Sequence, residues 1–315
     1  MRFTFTLYAA LGILLSTTRI AVLAQGTPSS TGVPIHMLVT VEARHGSDVP
    51  VINREDVMAY EGRDRARVTD WVPAQGDHAD LELFVLIDDS SSSSLGTQLE
   101  DIRQFIQTQP ATTKIGIAYM QNGTAQMVQN LTSDHAQAAK ALRLPLGIAG
   151  VNASPYFSLG DLIKRWPEGA ARREVLMISD GIDRYWETGQ SNQSDPYVDA
   201  VIEQAQRTGM VVFTIYNPGV GHVGRSFWRA LWGQSYLSQV AEETGGESYY
   251  IAFRGPTVAF APYLEDLAQR LTHQYWLTFL AKPQKKAGMQ PVKLMTEVPN
   301  AELVGANKVY VPAAR

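Results

Sequence analysis

Three short and largely apolar runs mark the middle of the chain, at residues 83–87 (LFVLI), 174–178 (EVLMI) and 210–216 (MVVFTIY). Runs of this length, rich in β-formers, are typical of strands buried on both faces of a parallel sheet. Between them lie segments with apolar residues at helical spacing, as in Leu95, Leu99, Ile102 and Ile106. The alternation predicts an α/β fold with a doubly wound, mainly parallel sheet and helices on both faces.

The two ends of the chain have a different pattern. Residues 36–44 alternate between apolar and polar, residues 57–60 and 65–72 flank a Glu61-Gly62 turn, and three strand-like segments follow residue 274. A lone two-stranded hairpin is marginal in water, and unpaired edges invite aggregation. We therefore predict that the N- and C-terminal strands together form one small β-subdomain beside the α/β core.

The first residues predict export. Arg2 precedes an apolar stretch at residues 7–15, and the small-residue sequence Val22-Leu23-Ala24 precedes Gln25, which is the pattern of a signal peptide. Arg19 interrupts the apolar stretch, so an uncleaved membrane anchor is the weaker alternative. We expect a periplasmic or secreted bacterial protein whose mature chain has no integral membrane segment.

The predicted organisation has five parts. Residues 1–24 form the signal peptide, 25–34 a linker, 35–78 an N-terminal β segment, 79–274 the α/β domain and 275–315 a C-terminal β segment. The linker is assigned from its Thr, Ser, Gly and Pro content.

Composition excludes several functions. The 315 residues contain no cysteine, which excludes disulfides, thiolate metal sites and a cysteine nucleophile. The formal net charge is -4, so the sequence does not have the excess of basic residues that is typical of nucleic-acid-binding proteins. GxSxG, P-loop and HExxH motifs are absent from the sequence, so we expect no enzymatic activity. A hydrolase that uses Asp88 as nucleophile is a weaker alternative, because no lysine can be placed beside it.

Two of the apolar strands end in acids, Asp88 and Asp180, and both are expected at the same edge of the sheet. Ser90 and Ser92 alternate with Asp88, and the loop before a predicted helix brings Ser154, or less favourably Ser158, to that edge. Carboxylate and hydroxyl oxygens suit Mg²⁺, Mn²⁺ or Ca²⁺. The alternative is structural, with serines that cap the next helix and an Asp88 that closes a turn.

In order and spacing, Asp88-x-Ser90-x-Ser92, the later hydroxyl and Asp180-Gly181 resemble the metal-ion-dependent adhesion site of the von Willebrand factor type A domain. The resemblance covers residues 81–274. It implies a divalent cation, most simply Mg²⁺, on the metal ligands Asp88, Ser90, Ser92, Ser154 and Asp180, with a partner carboxylate that completes the shell. Glu55-Asp56 and the aromatic strand at residues 274–277 further resemble an acidobacterial subgroup of these proteins.

The chain departs from the family pattern at several positions. Ser91 and Ser93 stand where Gly and Met are usual, Ser154 stands where Thr is usual, and Asp89 adds an acid. The hydroxyls that would bind the cation are retained, so the expected function is an exported, non-enzymatic protein-binding module of the adhesion type. The alternative is a structural or assembly module with a vestigial metal site.

A last motif lies at residues 219–232, where a glycine-rich stretch is followed by Phe227, Trp228, Leu231 and Trp232. Their helical spacing, together with the usual burial of such residues, favours a place in the core over a place on a binding surface.

Overall fold

The computed structural model describes residues 32–91, 93–148, 150, 153–167, 169, 171–186, 195–218, 227–250 and 258–313. Within these residues, thirteen strands form two sheets: β1 (Val33–Ala43), β2 (Val57–Glu61), β3 (Asp64–Pro73), β4 (Leu81–Asp88), β5 (Thr113–Gln121), β6 (Thr124–Thr132), β7 (Arg172–Ser179), β8 (Val211–Tyr216), β9 (Ser248–Tyr249), β10 (Gln274–Ala281), β11 (Gly288–Thr296), β12 (Ala301–Gly305) and β13 (Lys308–Val311).

Six α-helices accompany the strands in the same part of the chain: α1 (Leu99–Gln107), α2 (His135–Lys140), α3 (Pro155–Arg165), α4 (Pro196–Thr208), α5 (Phe227–Thr244) and α6 (Ala261–Thr272). Sequence signals fix several of their ends. Asp195 caps α4 by accepting from the Tyr197 N–H, and Gly209 ends it with φ +65°.

The α/β sheet has the order β6-β5-β4-β7-β8-β9. Strands β5, β4, β7, β8 and β9 pair in parallel, whereas β6 pairs antiparallel with β5 through the Asn122-Gly123 turn. Both turn residues have positive φ, as this type of tight hairpin requires. Counted from β4, the order is 3-2-1-4-5-6, which is doubly wound, so the predicted fold class is confirmed.

Helices cover both faces of this sheet, which explains the apolar runs. Along β4, Leu83, Val85 and Ile87 face a core shared with α1, α2 and α6. Phe84 and Leu86 face the opposite core, shared with α3, α4 and α5. Every residue of β4 is buried, because successive side chains point to opposite faces and both faces are covered.

The second sheet is antiparallel, with the order β12-β1-β10-β3-β2-β11-β13. It interleaves strands from the two ends of the described chain, since β1 lies between β10 and β12, and β2 lies between β3 and β11. Its core includes Val39, Leu277 and Phe279, each fully buried. This confirms the predicted small β-subdomain.

Buried charges connect the β-subdomain to the α/β sheet. Arg172, at the start of β7, donates to the carbonyl of Leu271, to the carbonyl of Ala79 and to the side-chain oxygen of Gln274. Glu174 is fully buried beside it, with an Arg172 Nη1 to Oε1 distance of 4.0 Å. Burial raises the pKa of Glu174 to about 7, although Arg172 and a hydrogen bond from Gln274 oppose that change.

We expect Glu174 to make the protein less stable as the pH rises. An acid with a raised pKa holds its proton more tightly when folded, so this stability is complete below the unfolded pKa of 4.5 and is lost as the pH rises through 7. At about 1.4 kcal/mol per pKa unit, the loss from pH 5 to pH 8 is about 2–3 kcal/mol. Denaturant unfolding at both pH values should show this difference between the wild type and Glu174→Gln.

Glu203→Gln is the matched control, since Glu203 lies on the surface and pairs with Arg207 one helical turn away. It should follow the wild-type pH dependence. If Glu174→Gln also follows it, Glu174 does not titrate in the expected range.

The predicted signal peptide and most of the predicted linker lie outside the described residues, so export stays a prediction. None of the helices in the described ranges combines the length and apolar character that a bilayer-spanning helix requires.

Candidate metal centre at the carboxyl edge of the sheet

Asp88 is the last residue of β4, and among the described residues Ser90 and Ser179 hold its carboxylate by hydrogen bonds. The N–H and the hydroxyl of Ser90 donate to Oδ1 over 2.9 and 2.7 Å. The Ser179 hydroxyl donates to Oδ2 over 2.8 Å, because β7 pairs with β4 in a register that places Ser179 beside Asp88. The carboxylate is buried.

Asp180 follows β7 directly and is fully buried. Its Oδ1 accepts from the Ile182 N–H over 3.0 Å, and its Oδ2 lies 2.6 Å from Nη2 of Arg184. The guanidinium of Arg184 therefore neutralises this carboxylate from within the chain. Both strand-end acids lie at the same edge of the sheet, as the sequence predicts. The ion pair between Asp180 and Arg184 could not be predicted from the sequence pattern.

Ser154 caps α3, since its hydroxyl accepts from the Phe157 N–H. The same hydroxyl donates to Oδ2 of Asp183 over 2.7 Å. Ser158, the second choice from the sequence, bonds back to the carbonyl of Ser154. A hydroxyl from this loop thus reaches the sheet edge, where it contacts Asp183, an acid outside the predicted set of metal ligands.

A cavity of about 10 Å³ lies between these elements. Its walls include Asp88, Ser154 and Arg184, together with the Asn122-Gly123 turn. This volume is close to the smallest that holds one water molecule. Asp88 and Ser154 thus face a common space, with Arg184 as one of its walls.

The two strand-end acids affect each other electrostatically. Burial raises the pKa of Asp88, and the negative charge of Asp180 raises it further, while hydrogen bonds from Ser90 and the charge of Arg184 act in the opposite direction. Like charges this close disfavour joint ionisation unless a cation compensates them.

A second acidic pair adjoins the first. Asp183 accepts from the N–H groups of Tyr185 and Trp186, and Asp195 lies beside it. Burial, followed by the charge of Asp183, raises the pKa of Asp195 to about 6, against a backbone hydrogen bond from Tyr197. Asp183 lies only three residues after Asp180 in the sequence. That short spacing is the signal that could have placed Asp183 at the same edge of the sheet.

Asp89 has a structural role on the other side of the loop. Its buried carboxylate accepts from both terminal nitrogens of Arg143, over 2.7 and 2.8 Å, and from the Gln121 amide and the Leu146 N–H. Burial alone would raise the pKa of Asp89, but these hydrogen bonds outweigh it and lower the pKa. The extra acid therefore fixes the loop that follows α2.

The side-chain oxygens at this edge are of the type that binds a hard divalent cation. Asp88, Ser90, Ser154 and Asp180 offer carboxylate and hydroxyl oxygens, the ligand type that Mg²⁺, Mn²⁺ and Ca²⁺ prefer. Ser92, the fifth predicted ligand, lies outside the described residues. Within the described ranges, no cluster of three or more His, Asp or Glu side chains is arranged for a metal.

Exposed apolar side chains border this edge, and we call them the apolar rim. They occur in the loop after α2, in the loop after Asp180 and at the start of α5: Leu144, Leu146, Ile148, Tyr185, Trp228 and Leu231. Trp228 is 61% exposed and Leu231 43%, so the expectation that these two residues belong to the core is wrong. They lie on the side of the first turns of α5 that faces away from the packed cores.

A close backbone contact positions Asp180. Gly181 has φ +69°, and a Cβ atom on Gly233 of α5 would lie 2.2 Å from the Asp180 carbonyl oxygen. A Cβ atom on Gly181 would lie 2.2 Å from the carbonyl oxygen of Gly233. Because glycine has no Cβ atom, Gly181 and Gly233 let the two backbone segments lie this close together. The contact brings the start of α5 against the site.

No family model and no curated protein sequence matches the chain. Among solved structures, it is similar to an aerotolerance-related membrane protein from Bacteroides fragilis, with 15% identity, 61% of this chain and 98% of that chain covered, and a TM-score of 0.43. A von Willebrand factor type A protein from Catenulispora acidiphila is 12% identical. The match covers 91% of this chain and 75% of that chain, with a TM-score of 0.43. The manganese-loaded TRAP protein of Plasmodium vivax is 11% identical. The match covers 78% of this chain and 98% of that chain, with a TM-score of 0.41.

At these identities and TM-scores the likeness concerns the fold alone. The α/β sheet has the doubly wound order that the sequence resemblance implied, with acids at the ends of β4 and β7. The resemblance to an acidobacterial subgroup stays a prediction.

Proposed function

We propose that the α/β domain is a non-enzymatic protein-binding module of the adhesion type. In this proposal Asp88, Ser90, Ser92, Ser154 and Asp180 hold a divalent cation, and an acidic side chain of a protein partner completes its shell. The observation that carries the proposal is the meeting of two buried, electrostatically coupled strand-end carboxylates at one sheet edge, where Asp88 and the Ser154 hydroxyl line one small cavity. Open α/β sheets bind their ligands at this edge.

The chain's own groups have separate tasks in this function. Asp88 and Asp180 supply negative charge, and the hydroxyls of Ser90 and Ser154 supply neutral oxygens. Ser179 orients the Asp88 carboxylate through its 2.8 Å hydrogen bond. A bound cation would offset the repulsion between the acids and attract a carboxylate from outside. Mg²⁺ is the first candidate, with Mn²⁺ and Ca²⁺ as alternatives.

The apolar rim would supply affinity and specificity around the charged centre. Interface hot spots are rich in Trp and Tyr, and Trp228 and Tyr185 are both exposed, Tyr185 by about half. Tyr185 also packs against Phe157 and Tyr197, with ring centroids 5.0 and 5.7 Å apart. The Asp89–Arg143 ion pair holds the Leu144 to Ile148 loop in place before binding, which lowers the entropy that a partner must remove.

We propose further that the protein acts outside the cytoplasm of a bacterium, on the basis of the signal-peptide pattern at residues 1–24. The missing GxSxG, P-loop and HExxH motifs support a binding role over an enzymatic one.

Water-proton relaxation with Mn²⁺ tests this function with a defined probe. Bound Mn²⁺ that keeps an exchangeable water enhances relaxation, so we expect a short peptide with one Glu to lower the enhancement by displacing that water. The same peptide with Gln in place of Glu is the matched control and should have no effect. Equal effects of the two peptides would contradict carboxylate recognition.

One observation favours the second candidate, a structural or assembly module with a vestigial metal site. Arg184 already neutralises Asp180, and Ser90 and Ser179 already satisfy Asp88. In that case the wild type should bind no Mn²⁺ at millimolar concentration, and Asp88→Asn should leave the function of the protein intact.

A further inference from the structure

We propose that Arg184 is a built-in counter-cation that competes with the divalent cation for Asp180, so that the site exchanges its own guanidinium for a metal. The inference rests on the proposed cation-binding function and adds a regulatory element to it. Metal affinity would then be set by how readily the Arg184 side chain leaves the carboxylate.

The first support is the contact itself. Nη2 of Arg184 lies 2.6 Å from Oδ2 of Asp180, and Nη1 lies 3.4 Å from Oδ1, so the guanidinium spans the carboxylate. Asp180 is fully buried, whereas the side chain of Arg184 is 22% exposed. The charge that neutralises this acid thus comes from a side chain at the boundary with solvent.

The second support is space. Arg184 shares the wall of the 10 Å³ cavity with Asp88 and Ser154. Mg²⁺ and Mn²⁺ take about six oxygen ligands and Mg²⁺ usually keeps several waters. A cavity with room for about one water molecule leaves little space for the waters of such a shell while the guanidinium remains in place.

The third support is charge. A guanidinium and a divalent cation on the same carboxylate repel each other, and the repulsion is strong in a buried site of low dielectric constant. The positive charge of Arg184 also acts on Asp88, where it opposes the rise in pKa that burial and Asp180 cause. One cation at a time is therefore the favoured state of the acid pair.

The backbone allows the exchange without unfolding. The Arg184 N–H donates to the carbonyl of Ala153 over 3.0 Å, which holds the loop independently of the side chain. Rotation of the partly exposed side chain towards solvent would open the cavity. It would also bring a positive charge next to Tyr185 of the apolar rim, where an acidic partner could contact it.

Calorimetric titration with Mn²⁺ tests the competition. We expect Arg184→Gln to bind Mn²⁺ about tenfold more tightly than the wild type, because the guanidinium no longer opposes the metal. Without metal, the variant should melt at a lower temperature than the wild type, and saturating Mn²⁺ should raise its melting temperature by more. Arg207→Gln is the matched control, since Arg207 forms the same kind of (i, i+4) ion pair with Glu203 on the surface, and it should bind Mn²⁺ like the wild type.

The outcomes separate the two proposals. Wild-type binding with equal or weaker affinity in Arg184→Gln would overturn the competition and leave the cation site standing. Absence of binding in both proteins would overturn both proposals. If the variant does not fold, NMR of the wild type decides: the Arg184 side-chain signals should shift on saturation with Mg²⁺, and unchanged signals would overturn the exchange.

Discussion

Truncation after Lys282 should destroy the β-subdomain, including strands more than two hundred residues away in sequence. The truncation removes β11, β12 and β13, so β1 loses its partner β12 and β2 loses its partner β11. It also removes five buried apolar side chains: Val292, Ala301, Leu303, Val309 and Val311. Their burial contributes on the order of 8 kcal/mol, which is comparable to the whole stability of a domain.

Limited proteolysis with mass spectrometry measures this effect. Cleavage within β1, β2 and β3 should be much faster in the truncated chain than in the full-length protein. Peptides from β4 and β5 provide the internal reference, because the α/β sheet keeps all of its own strands. Equal protection of β1 to β3 in both proteins would show that the interleaved sheet does not stabilise them.

Gly233→Ala should destabilise the protein and disturb Asp180, although the substitution lies in helix α5. Helix propensity alone predicts a gain of about 1 kcal/mol for Gly→Ala in a helix interior. The new methyl group would instead lie 2.2 Å from the Asp180 carbonyl oxygen, which is backbone and cannot move aside without moving the site. Overpacking costs about 1–3 kcal/mol, and a clash with backbone lies in the upper part of that range. After the gain in helix propensity is subtracted, we expect a net loss of about 1–2 kcal/mol in the free energy of unfolding.

Gly160→Ala in α3 is the matched control. The nearest atom to its new methyl group is Oε1 of Gln204, 3.2 Å away at the end of a flexible side chain. Denaturant unfolding should show this variant to be neutral or slightly stabilised. A Gly233→Ala protein that is likewise stabilised would rule out the tight contact between α5 and the Asp180 loop.

The parts of the fold that sequence predicted well depend on short-range patterns. The burial of β4 on both faces follows from its continuous apolar run, and the alternation of such runs with helical spacing predicts the α/β fold. The shared β-subdomain followed from a general argument about unpaired edges. The strand order of this sheet could not be predicted in the same way. The position of β1 between β10 and β12 depends on pairing of residues that lie about two hundred and forty or more positions apart in the sequence.

The candidate site divides in the same way. The strand ends at Asp88 and Asp180 and the position of Ser154 just before a helix are local features, and the sequence located all three. The role of Ser154 as the cap of α3 was not predicted. The hydrogen bond from Ser154 to Asp183 and the ion pair of Arg184 depend on how two loops meet in space. The exposure of Trp228 could not be predicted either, because helical spacing does not say whether another element covers that face.

Binding of Mn²⁺ to the wild type and to Asp88→Asn tests the central claim most directly. Asn is nearly isosteric with Asp, and loss of a buried charge beside Asp180 should leave the metal-free protein as stable as the wild type or more so. Asp134→Asn is the control, because Asp134 caps α2 at the surface and Asn caps equally well. By calorimetry, we predict one Mn²⁺ site in the wild type and in Asp134→Asn. We expect binding weakened by about 100-fold or more in Asp88→Asn, since even changes behind the ligands cost about 10–100-fold. Equal Mn²⁺ binding by a folded Asp88→Asn protein, or no binding by the wild type, would contradict the account.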